Sequence, residues 1–174
     1  MSELELYEKL KKVKLLVMDV DGTLTDAGMY FTENGEASKR FSTRDGMGVV
    51  LLKKSGIDSA IITSENSKIV EARAKKLSIE YVILGSHNKE FALKELCSRL
   101  KLDLENIAYI GDDVNDAYAM RISGICACPN DSVEYIKNLS NYICKENGGY
   151  GAVREFAELI LKAQNKPNYL TENW

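Results

Sequence analysis

The sequence predicts an α/β fold in which a parallel β-sheet lies between two layers of helices. Short apolar runs alternate with helical stretches along the chain, which is the pattern of strands joined by crossover helices. These runs are apolar throughout rather than alternating, as expected for strands that are covered on both faces. A length of 174 residues suits one domain, expected to span 1–174 with its core at about 13–163.

Five apolar runs are predicted to form the strands of this sheet. The first run ends in carboxylates, and the others are short and apolar. In chain order the runs are Val13–Asp19, Ser59–Thr63, Tyr81–Leu84, Ile107–Ile110 and Ile125–Ala127. Because Cys126 and Cys128 alternate in the stretch GICAC, we expect them to share one face of a buried strand as reduced thiols.

Six helical stretches separate or follow the strands, so that helices can cover both faces of the sheet. They are Gly46–Lys54, Ser67–Leu77, Lys89–Leu100, Asp116–Ile122, Val133–Leu139 and Ala152–Ala163. The chain after Lys162 is polar and contains Pro167, which predicts an extended or loosely ordered tail over 163–174.

One segment interrupts the alternation of strands and helices. Met29–Thr32 and Ala37–Ser42 flank Glu33–Glu36, whose central Asn-Gly pair favours a type I′ hairpin turn. A β-hairpin is therefore predicted to project from the loop after the first strand.

Composition and charge exclude several classes of partner. The chain has 23 Lys and Arg against 26 Asp and Glu, a net charge of −3, which argues against non-specific binding to nucleic acid. No apolar run approaches the roughly 20 residues that a bilayer requires. The N-terminus also lacks an apolar secretory region. We therefore expect a cytoplasmic protein that binds neither nucleic acid nor membrane.

Polar side chains follow four of the predicted strands, at the edge where ligands gather in open parallel sheets. Two carboxylates follow the first strand, two hydroxyls end the second, a lysine follows the third and an acidic loop follows the fourth. The full set is Asp19, Asp21, Thr63, Ser64, Lys89, Asp112, Asp113 and Asp116. Taken singly, each feature has a structural explanation, because Asp-x-Asp-Gly occurs in turns and Asp caps helices. Their order along successive strand ends favours a functional site.

The chemistry that this set suits is phosphoryl transfer. Crowded carboxylates repel one another unless a hard cation neutralises them, and Mg²⁺ with carboxylate and phosphate oxygens fits that need. Asp19 can attack phosphorus to give an aspartyl phosphate. Asp21 can protonate the leaving alcohol and later deprotonate the attacking water. Thr63 and Lys89 can hold the oxygens of the transferring phosphoryl group.

At these residues the sequence resembles the haloacid dehalogenase superfamily of phosphotransferases, which implies a Rossmann-like three-layer sandwich. DVDGT resembles the first motif of the superfamily and GDDVND the fourth, while Thr63 and Lys89 match the second and third. The hairpin and the predicted helices and strands fill the intervals between these motifs, so no cap domain is expected. Because an uncapped site is open to water, we expect the hairpin and a neighbouring subunit to cover it.

The resemblance also implies a magnesium site. The implied ligands are Asp19, Asp21 through its backbone carbonyl, and Asp112. Either Asp116 or Asp113 is implied to orient Lys89 and a metal-bound water, and the sequence does not distinguish between these two residues.

The hairpin, RDGMG at Arg44–Gly48 and GGYGAVRE at Gly148–Glu155 make the chain similar to one branch of the superfamily. That branch consists of phosphatases of 2-keto-3-deoxy sugar acid phosphates. The resemblance to it implies that this chain lacks a cap domain and forms a homotetramer. Octulosonate 8-phosphate and nonulosonate 9-phosphate are both candidate substrates. The alternative is a non-catalytic oligomerisation module related to the C-terminal domain of sialic acid cytidylyltransferases, but the intact motif residues favour catalysis.

Four residues are predicted to bind the substrate: Ser64, Glu65, Arg73 and Lys76. The octulosonate enzymes usually carry Thr-Gly-Arg at the second motif, whereas this chain has Thr63-Ser64-Glu65. The combination of Glu65, Arg73 and Lys76 is similar to the residues of the nonulosonate phosphatases. Arg73 could bind the carboxylate of the sugar acid, because a guanidinium matches the geometry of a carboxylate. The alternative is that Arg73 and Lys76 form a solvated helix face, with Glu65 near the N-terminus of that helix.

The remaining candidates are predicted to have smaller roles. His87 is interpreted as a loop residue, because Asp21 already supplies the acid and base. Arg44 and Asp45 either contact the substrate or begin a helix. The glycine-rich stretch before the last helix is expected to let the C-terminal segment turn near the site, with Arg154 serving packing.

Overall fold

The structure, a computed structural model, describes residues 1–170. Its strands are β1 (Leu15–Met18), β2 (Tyr30–Thr32), β3 (Gly35–Ser38), β4 (Asp58–Ile62), β5 (Tyr81–Ile83), β6 (Ile107–Ile110), β7 (Ile125–Cys128) and β8 (Tyr142–Ile143). Its helices are α1 (Glu3–Lys11), α2 (Thr43–Lys54), α3 (Lys68–Lys76), α4 (Lys89–Leu100), α5 (Ala117–Ile122), α6 (Glu134–Leu139) and α7 (Ala152–Ala163). The end of the predicted tail, 171–174, lies outside the described residues.

Six strands form a parallel sheet in the order β5-β4-β1-β6-β7-β8, which confirms the predicted sheet. β1 lies inside the sheet, where Met18 pairs with Ile61 of β4 and Ile110 of β6. The five predicted strands are present, with ends that differ by a residue or two. β8 is absent from the prediction, because two residues are too few to show a strand pattern.

Two hydrophobic clusters on opposite faces of this sheet make the structure three-layered. Leu16 and Met18 of β1 belong to the cluster that includes α1, α2, α3 and α7, whereas Leu15 and Val17 belong to the cluster that includes α4, α5 and α6. All four side chains are fully buried, so β1 is covered on both faces as its apolar run predicts. The two cysteines of β7 share the second cluster as free thiols, which confirms that prediction.

α1 is the helix that the sequence analysis misses. Its N-terminus carries a capping box, in which Ser2 accepts from the backbone N–H of Glu5 and the Glu5 carboxylate accepts from that of Ser2. Leu10 is fully buried, so the core extends to the N-terminal side of residue 13. The Gln164 amide donates to the carbonyls of Leu10 and Val13, which ties the start of the predicted loose tail to α1.

The predicted hairpin is present, but its turn differs from the prediction. Thr32 pairs with Gly35, so Glu33 and Asn34 form the turn and Asn34-Gly35 is not its central pair. The pairing also shifts between Tyr30 and Phe31, where β3 has one extra residue, Ala37. Beyond the hairpin, Ser42 caps α2 by accepting from two backbone N–H groups, so α2 begins earlier than predicted.

No cap domain interrupts the described chain between β1 and α4, as the sequence predicts. That interval contains the hairpin, α2, β4, α3 and β5. Of the helices within residues 1–170, none combines the length and apolar character needed to cross a bilayer.

Candidate active site

The carboxyl ends of β1, β4 and β6 deliver polar side chains to one edge of the sheet. Asp19 comes directly after β1, Thr63 directly after β4, and Asp112 follows β6. One oxygen from each of Asp19, Asp112 and Asp116 lies within 4.8 Å of the others. The folded chain therefore assembles an acidic cluster from segments that are far apart in the sequence.

Lys89 lies between two members of this cluster. Its Nζ is 2.7 Å from Asp19 Oδ1 and 2.7 Å from Asp116 Oδ1, and its side chain is only 1% exposed. Burial alone lowers the pKa of Lys89, but the charges and hydrogen bonds of the two carboxylates outweigh burial and raise the pKa above its usual value. Lys89 is therefore held as an ammonium next to the first carboxylate of the Asp-x-Asp pair.

Asp116 is fully buried and accepts three hydrogen bonds. Its Oδ1 accepts from Lys89 and from the Tyr109 hydroxyl at 2.8 Å, and its Oδ2 accepts from the Asp112 backbone N–H at 3.1 Å. Asp113, by contrast, is exposed and accepts from its neighbour Val114. Of the two residues that the sequence leaves open, Asp116 is the one that contacts Lys89.

Tyr109 is a site residue that sequence reasoning misses. It lies in β6 and is fully buried, and its hydroxyl reaches Asp116 from within the sheet. Burial, followed by the charge of Asp116, raises the pKa of Tyr109 well above its ordinary value, so the phenol stays protonated and can donate. A tyrosine inside an apolar strand resembles any other core residue in the sequence, so no local signal marks it.

The crowded carboxylates have strongly altered proton affinities. Burial and then the charge of Asp116 raise the pKa of Asp19 to about 7, although Lys89 opposes the shift. Burial and then the charges of Asp19 and Asp116 raise the pKa of Asp112 to about 8. A set of carboxylates that repel one another in this way fits a hard divalent cation, which would neutralise them.

Gly22 lets the Asp112 carboxylate approach the loop after β1. A Cβ on Gly22 would lie 2.0 Å from Asp112 Oδ2, and the φ of this residue is +87°. Thr23 Oγ1 lies 3.4 Å from Asp112 Oδ1. The glycine of DVDGT is therefore required both by backbone conformation and by space.

Asp21 contacts a second buried lysine. Lys39 Nζ is 2.5 Å from Asp21 Oδ1 and 2.5 Å from Glu36 Oε1, and the Lys39 side chain is fully enclosed. Lys39 follows β3, so the hairpin supplies this residue to the site. Sequence reasoning misses Lys39, because a lysine in the polar run EASKR looks like a solvated residue.

The second-motif residues lie at the end of β4. Thr63 is buried, and its Oγ1 accepts from the backbone N–H of Glu65 at 3.3 Å. Ser64 donates to the carbonyl of Ser86 at 3.2 Å and accepts from Asn115 at 3.4 Å. Ser64 thus connects the loop after β4 with the loop after β6.

The other predicted substrate-binding residues are placed differently. Glu65 and Lys76 are exposed. Arg73 donates to the carbonyl of Ser42 at 2.8 Å and lies 5.5 Å from the ring centroid of Phe41. Burial lowers the pKa of Arg73, and the charge of nearby Asp45 opposes that shift. Arg73 therefore contacts the start of α2 in its own chain.

The remaining candidates are two residues with contacts inside the protein, Asp45 and Arg154, and two exposed residues, Arg44 and His87. Asp45 is buried in the first turn of α2 and accepts from the backbone N–H of Arg154 at 2.9 Å, so it caps the N-terminus of α7. Arg154 pairs with Glu158 along α7. Arg44 is exposed at the helix start, and His87 is an exposed loop residue, as predicted.

The glycine-rich loop before α7 packs directly on the loop after β1. A Cβ on Gly148 would lie 1.8 Å from the Gly22 carbonyl oxygen, and the Gly149 N–H donates to the Thr23 carbonyl at 3.0 Å. Arg40 donates to the Gly149 carbonyl at 2.9 Å and lies 4.1 Å from the ring centroid of Tyr150. The C-terminal segment therefore turns next to the site, as predicted.

Comparison of the sequence with known proteins agrees with this geometry. The family of haloacid dehalogenase-like hydrolases matches residues 55–156. The chain is 37% identical over 161 residues to the 3-deoxy-D-manno-octulosonate 8-phosphate phosphatase of Haemophilus influenzae, covering 92% of this chain and 89% of that protein. The enzyme of the same name from Escherichia coli K12 is 38% identical over 162 residues, covering 93% of this chain and 86% of that protein.

Solved structures are similar over the same length. The 3-deoxy-D-manno-octulosonate 8-phosphate phosphatase of Moraxella catarrhalis, in complex with magnesium ion, phosphate ion and a KDO molecule, has a TM-score of 0.91 and 44% identity, covering 94% of each chain. The cobalt-bound phosphatase of Haemophilus influenzae has a TM-score of 0.88 and 37% identity, covering 90% of this chain and 92% of that one.

Proposed function

Since the chain belongs to the haloacid dehalogenase-like hydrolases and is a metal-dependent phosphatase, we propose that its substrate is 3-deoxy-D-manno-octulosonate 8-phosphate. The observation that carries this proposal is the similarity over more than nine-tenths of the chain to phosphatases of that substrate. The nine-carbon alternative depends on Glu65, Arg73 and Lys76. Of these three residues, Arg73 gives the least support to the nine-carbon substrate, because the Arg73 side chain contacts the start of α2.

Asp19 is the proposed nucleophile. Its carboxylate attacks phosphorus, and an Asp19–phosphorus bond forms while the bond from phosphorus to the sugar oxygen breaks. Asp21 gives its proton to that leaving oxygen. Water then attacks the phosphorus of the aspartyl phosphate, Asp21 takes up the proton of this water, and inorganic phosphate and free Asp19 are released.

Lys89 and Thr63 hold the phosphoryl oxygens in this mechanism. Lys89 is already beside Asp19, and its ammonium offsets the negative charge that develops on the transferring group. Asp116 positions Lys89 and is itself held by Tyr109. Asp113 has no contact with Lys89 and caps the turn that precedes α5.

Asp19, Asp112 and the backbone carbonyl of Asp21 are the proposed magnesium ligands. Asp116 belongs to the same acidic cluster, but its oxygens already accept from a lysine, a phenol and a backbone N–H. Bound Mg²⁺ would neutralise the carboxylates and the substrate phosphate. The raised pKa values of Asp19 and Asp112 support this assignment, since both groups gain from a neighbouring cation.

The assembly that we propose is a cytoplasmic homotetramer of single-domain chains, 1–174. Three apolar side chains of the hairpin segment are about half exposed or more: Met29, Tyr30 and Phe31. An isolated two-stranded hairpin is marginally stable in water, and a second copy of the chain would cover this apolar surface. The neighbouring subunit would also close the uncapped site, and Ser64, Glu65, Arg73 and Lys76 remain the proposed substrate contacts.

A comparison of substrates tests this function. Phosphate release with Mg²⁺ is measured for the eight-carbon and nine-carbon sugar acid phosphates and for a hexose phosphate as control. We expect kcat/KM to be highest for octulosonate 8-phosphate, by about tenfold or more. A higher value for nonulosonate 9-phosphate would overturn the proposed substrate, and an intact tetramer that hydrolyses none of the three would favour the non-catalytic module.

A further inference from the structure

We propose that Lys39 is a positioning residue that holds the Asp21 carboxylate in place and ties it to the hairpin through Glu36. This inference rests on the proposed role of Asp21 as the acid and base. Lys39 would act through Asp21 and would not itself touch the reacting atoms.

The geometry around Lys39 supports this role. Its Nζ lies 2.5 Å from one oxygen of Asp21 and 2.5 Å from one oxygen of Glu36. The Lys39 side chain is fully buried, whereas Asp21 and Glu36 are 24% and 18% exposed. A buried ammonium is costly unless it is paired, so this cation favours the conformation in which both carboxylates face it.

Asp21 is held by one oxygen only. Oδ1 accepts from Lys39, while Oδ2 is buried and has no hydrogen-bond partner among the described residues. An acid that must give a proton to a leaving oxygen needs one oxygen free and a fixed orientation. The Lys39 contact provides the orientation and leaves Oδ2 for the proton.

Glu36 connects this pair to the N-terminus of α3. Its second oxygen accepts from the Ser67 hydroxyl at 2.7 Å. Ser67 occupies the N-cap of α3 but makes no side-chain capping bond, because its hydroxyl is directed to Glu36 instead. The chain of contacts from Asp21 through Lys39 and Glu36 to Ser67 therefore joins the loop after β1, the hairpin and the segment after β4.

The two carboxylates of the Asp-x-Asp pair thus have different lysines. Lys89, from α4, lies beside Asp19, where the phosphoryl group is transferred. Lys39, from the hairpin, lies beside Asp21, where the proton is transferred. Loss of Lys39 should therefore affect protonation of the leaving group more than binding of the phosphoryl group.

Leaving-group dependence tests this inference. kcat/KM is measured for Lys39→Met with octulosonate 8-phosphate, whose alkoxide needs a proton, and with p-nitrophenyl phosphate, whose phenolate leaves without one. Because kcat/KM reports only the steps up to departure of the leaving group, later hydrolysis of the aspartyl phosphate does not enter it. We expect a loss of about 100-fold for the sugar phosphate and of less than about fivefold for the aryl phosphate.

Two further variants complete the experiment. Lys53→Met, which removes a lysine that donates to the Ser78 carbonyl on the surface, is the matched control and should leave both substrates unchanged. Glu36→Gln weakens the anchor of Lys39 while keeping its cation, and it should give a smaller loss with the same selectivity for the sugar phosphate. Glu36→Gln also tests the inference if Lys39→Met does not fold.

The outcomes separate this inference from the proposed function. Equal losses on both substrates, or no loss, would overturn the positioning role of Lys39. A wild-type protein that releases no phosphate from either substrate would contradict the proposed function instead.

Discussion

Lys89 Nζ and Asp116 Oδ1 lie 2.7 Å apart, and both side chains are almost completely removed from solvent. The same nitrogen is 2.7 Å from Asp19 Oδ1, so one ammonium pairs with both the proposed nucleophile Asp19 and the buried carboxylate of Asp116. Such an arrangement depends on the pairing of its buried charges, because a buried charge that is left without any partner carries a large desolvation cost. We therefore expect the residues that hold Asp116 next to Lys89 to affect both the free energy of unfolding and the rate of catalysis.

Tyr109→Phe should show this dependence. The variant removes the hydroxyl that donates to Asp116 at 2.8 Å without changing the shape of the core. We expect the free energy of unfolding in urea to fall by about 1–3 kcal/mol. We also expect kcat to fall several-fold, because Asp116 then orients Lys89 less well. Wild-type stability and rate together would contradict the role of Tyr109.

Asp19→Asn should abolish turnover and keep the fold. The amide has nearly the shape of the carboxylate but cannot attack phosphorus, so we expect a loss of at least about 1000-fold in kcat. Without metal, the variant should melt no lower than wild type, because burial and Asp116 already disfavour the charge on Asp19. Activity within tenfold of wild type would exclude the aspartyl phosphate.

Without metal, stability should decrease as the pH rises. The folded pKa of Asp19 is about 7 and that of Asp112 about 8, both above the value of 3.8 for the unfolded chain. The folded protein therefore binds more protons than the unfolded chain between about pH 4 and pH 8, and these groups lose their contribution to stability across that window. Melting temperatures in a chelator should fall with pH, and the fall should be shallower for Asp112→Asn.

Mg²⁺ should reverse this loss of stability. Since the cation binds the deprotonated carboxylates, the increase in melting temperature on adding Mg²⁺ should be larger at pH 8 than at pH 5.5. Asp112→Asn should weaken Mg²⁺ binding by about tenfold or more, because the site has few protein ligands. Unchanged Mg²⁺ dependence in this variant would show that Asp112 is not a ligand.

Gly148→Ala should destabilise the protein through a direct clash. Its Cβ would lie 1.8 Å from the Gly22 carbonyl oxygen, and backbone cannot move aside as a side chain can. We expect a loss of about 2–3 kcal/mol in unfolding free energy, with reduced activity, because the loop after β1 must shift. Gly35→Ala is the control: the φ of Gly35 is +106°, but beyond its chain neighbours no atom of the described residues lies within 4 Å of the added Cβ, so only backbone strain of about 1 kcal/mol is expected.

The hairpin should be required for assembly. Phe31 is 63% exposed, and Phe31→Glu places a charge on the proposed interface without disturbing the core. Sedimentation should show a tetramer for wild type and smaller species for the variant, with kcat/KM for the sugar phosphate reduced more than for p-nitrophenyl phosphate. Leu4→Glu, at a position on α1 that is 73% exposed, should remain tetrameric. A monomeric wild-type protein with full activity would exclude the tetramer.

The elements that the sequence predicts well are those with a local cause. The apolar runs of β1, β4, β6 and β7 identify strands because each is buried on both faces, and α4 and α7 have the bounds that their sequences predict. α1 and β8 are missed for opposite reasons. α1 is a charged helix with few buried residues, whereas β8 has only two residues and pairs at the edge of the sheet.

The parallel sheet, the lack of an inserted cap between the motifs, and the convergence of Asp19, Asp21, Thr63, Lys89 and Asp112 could all be predicted from the sequence, because strand ends in such a sheet meet at one edge. The contact of Lys89 with Asp116 rather than Asp113, that of Tyr109 with Asp116 and that of Lys39 with Asp21 are evident only in the folded chain. These contacts join residues from different elements, and Lys89 and Asp116 are 27 positions apart. Hydrogen bonds between elements leave no periodic pattern along the chain, since their geometry exists only after the sheet has brought the loops together.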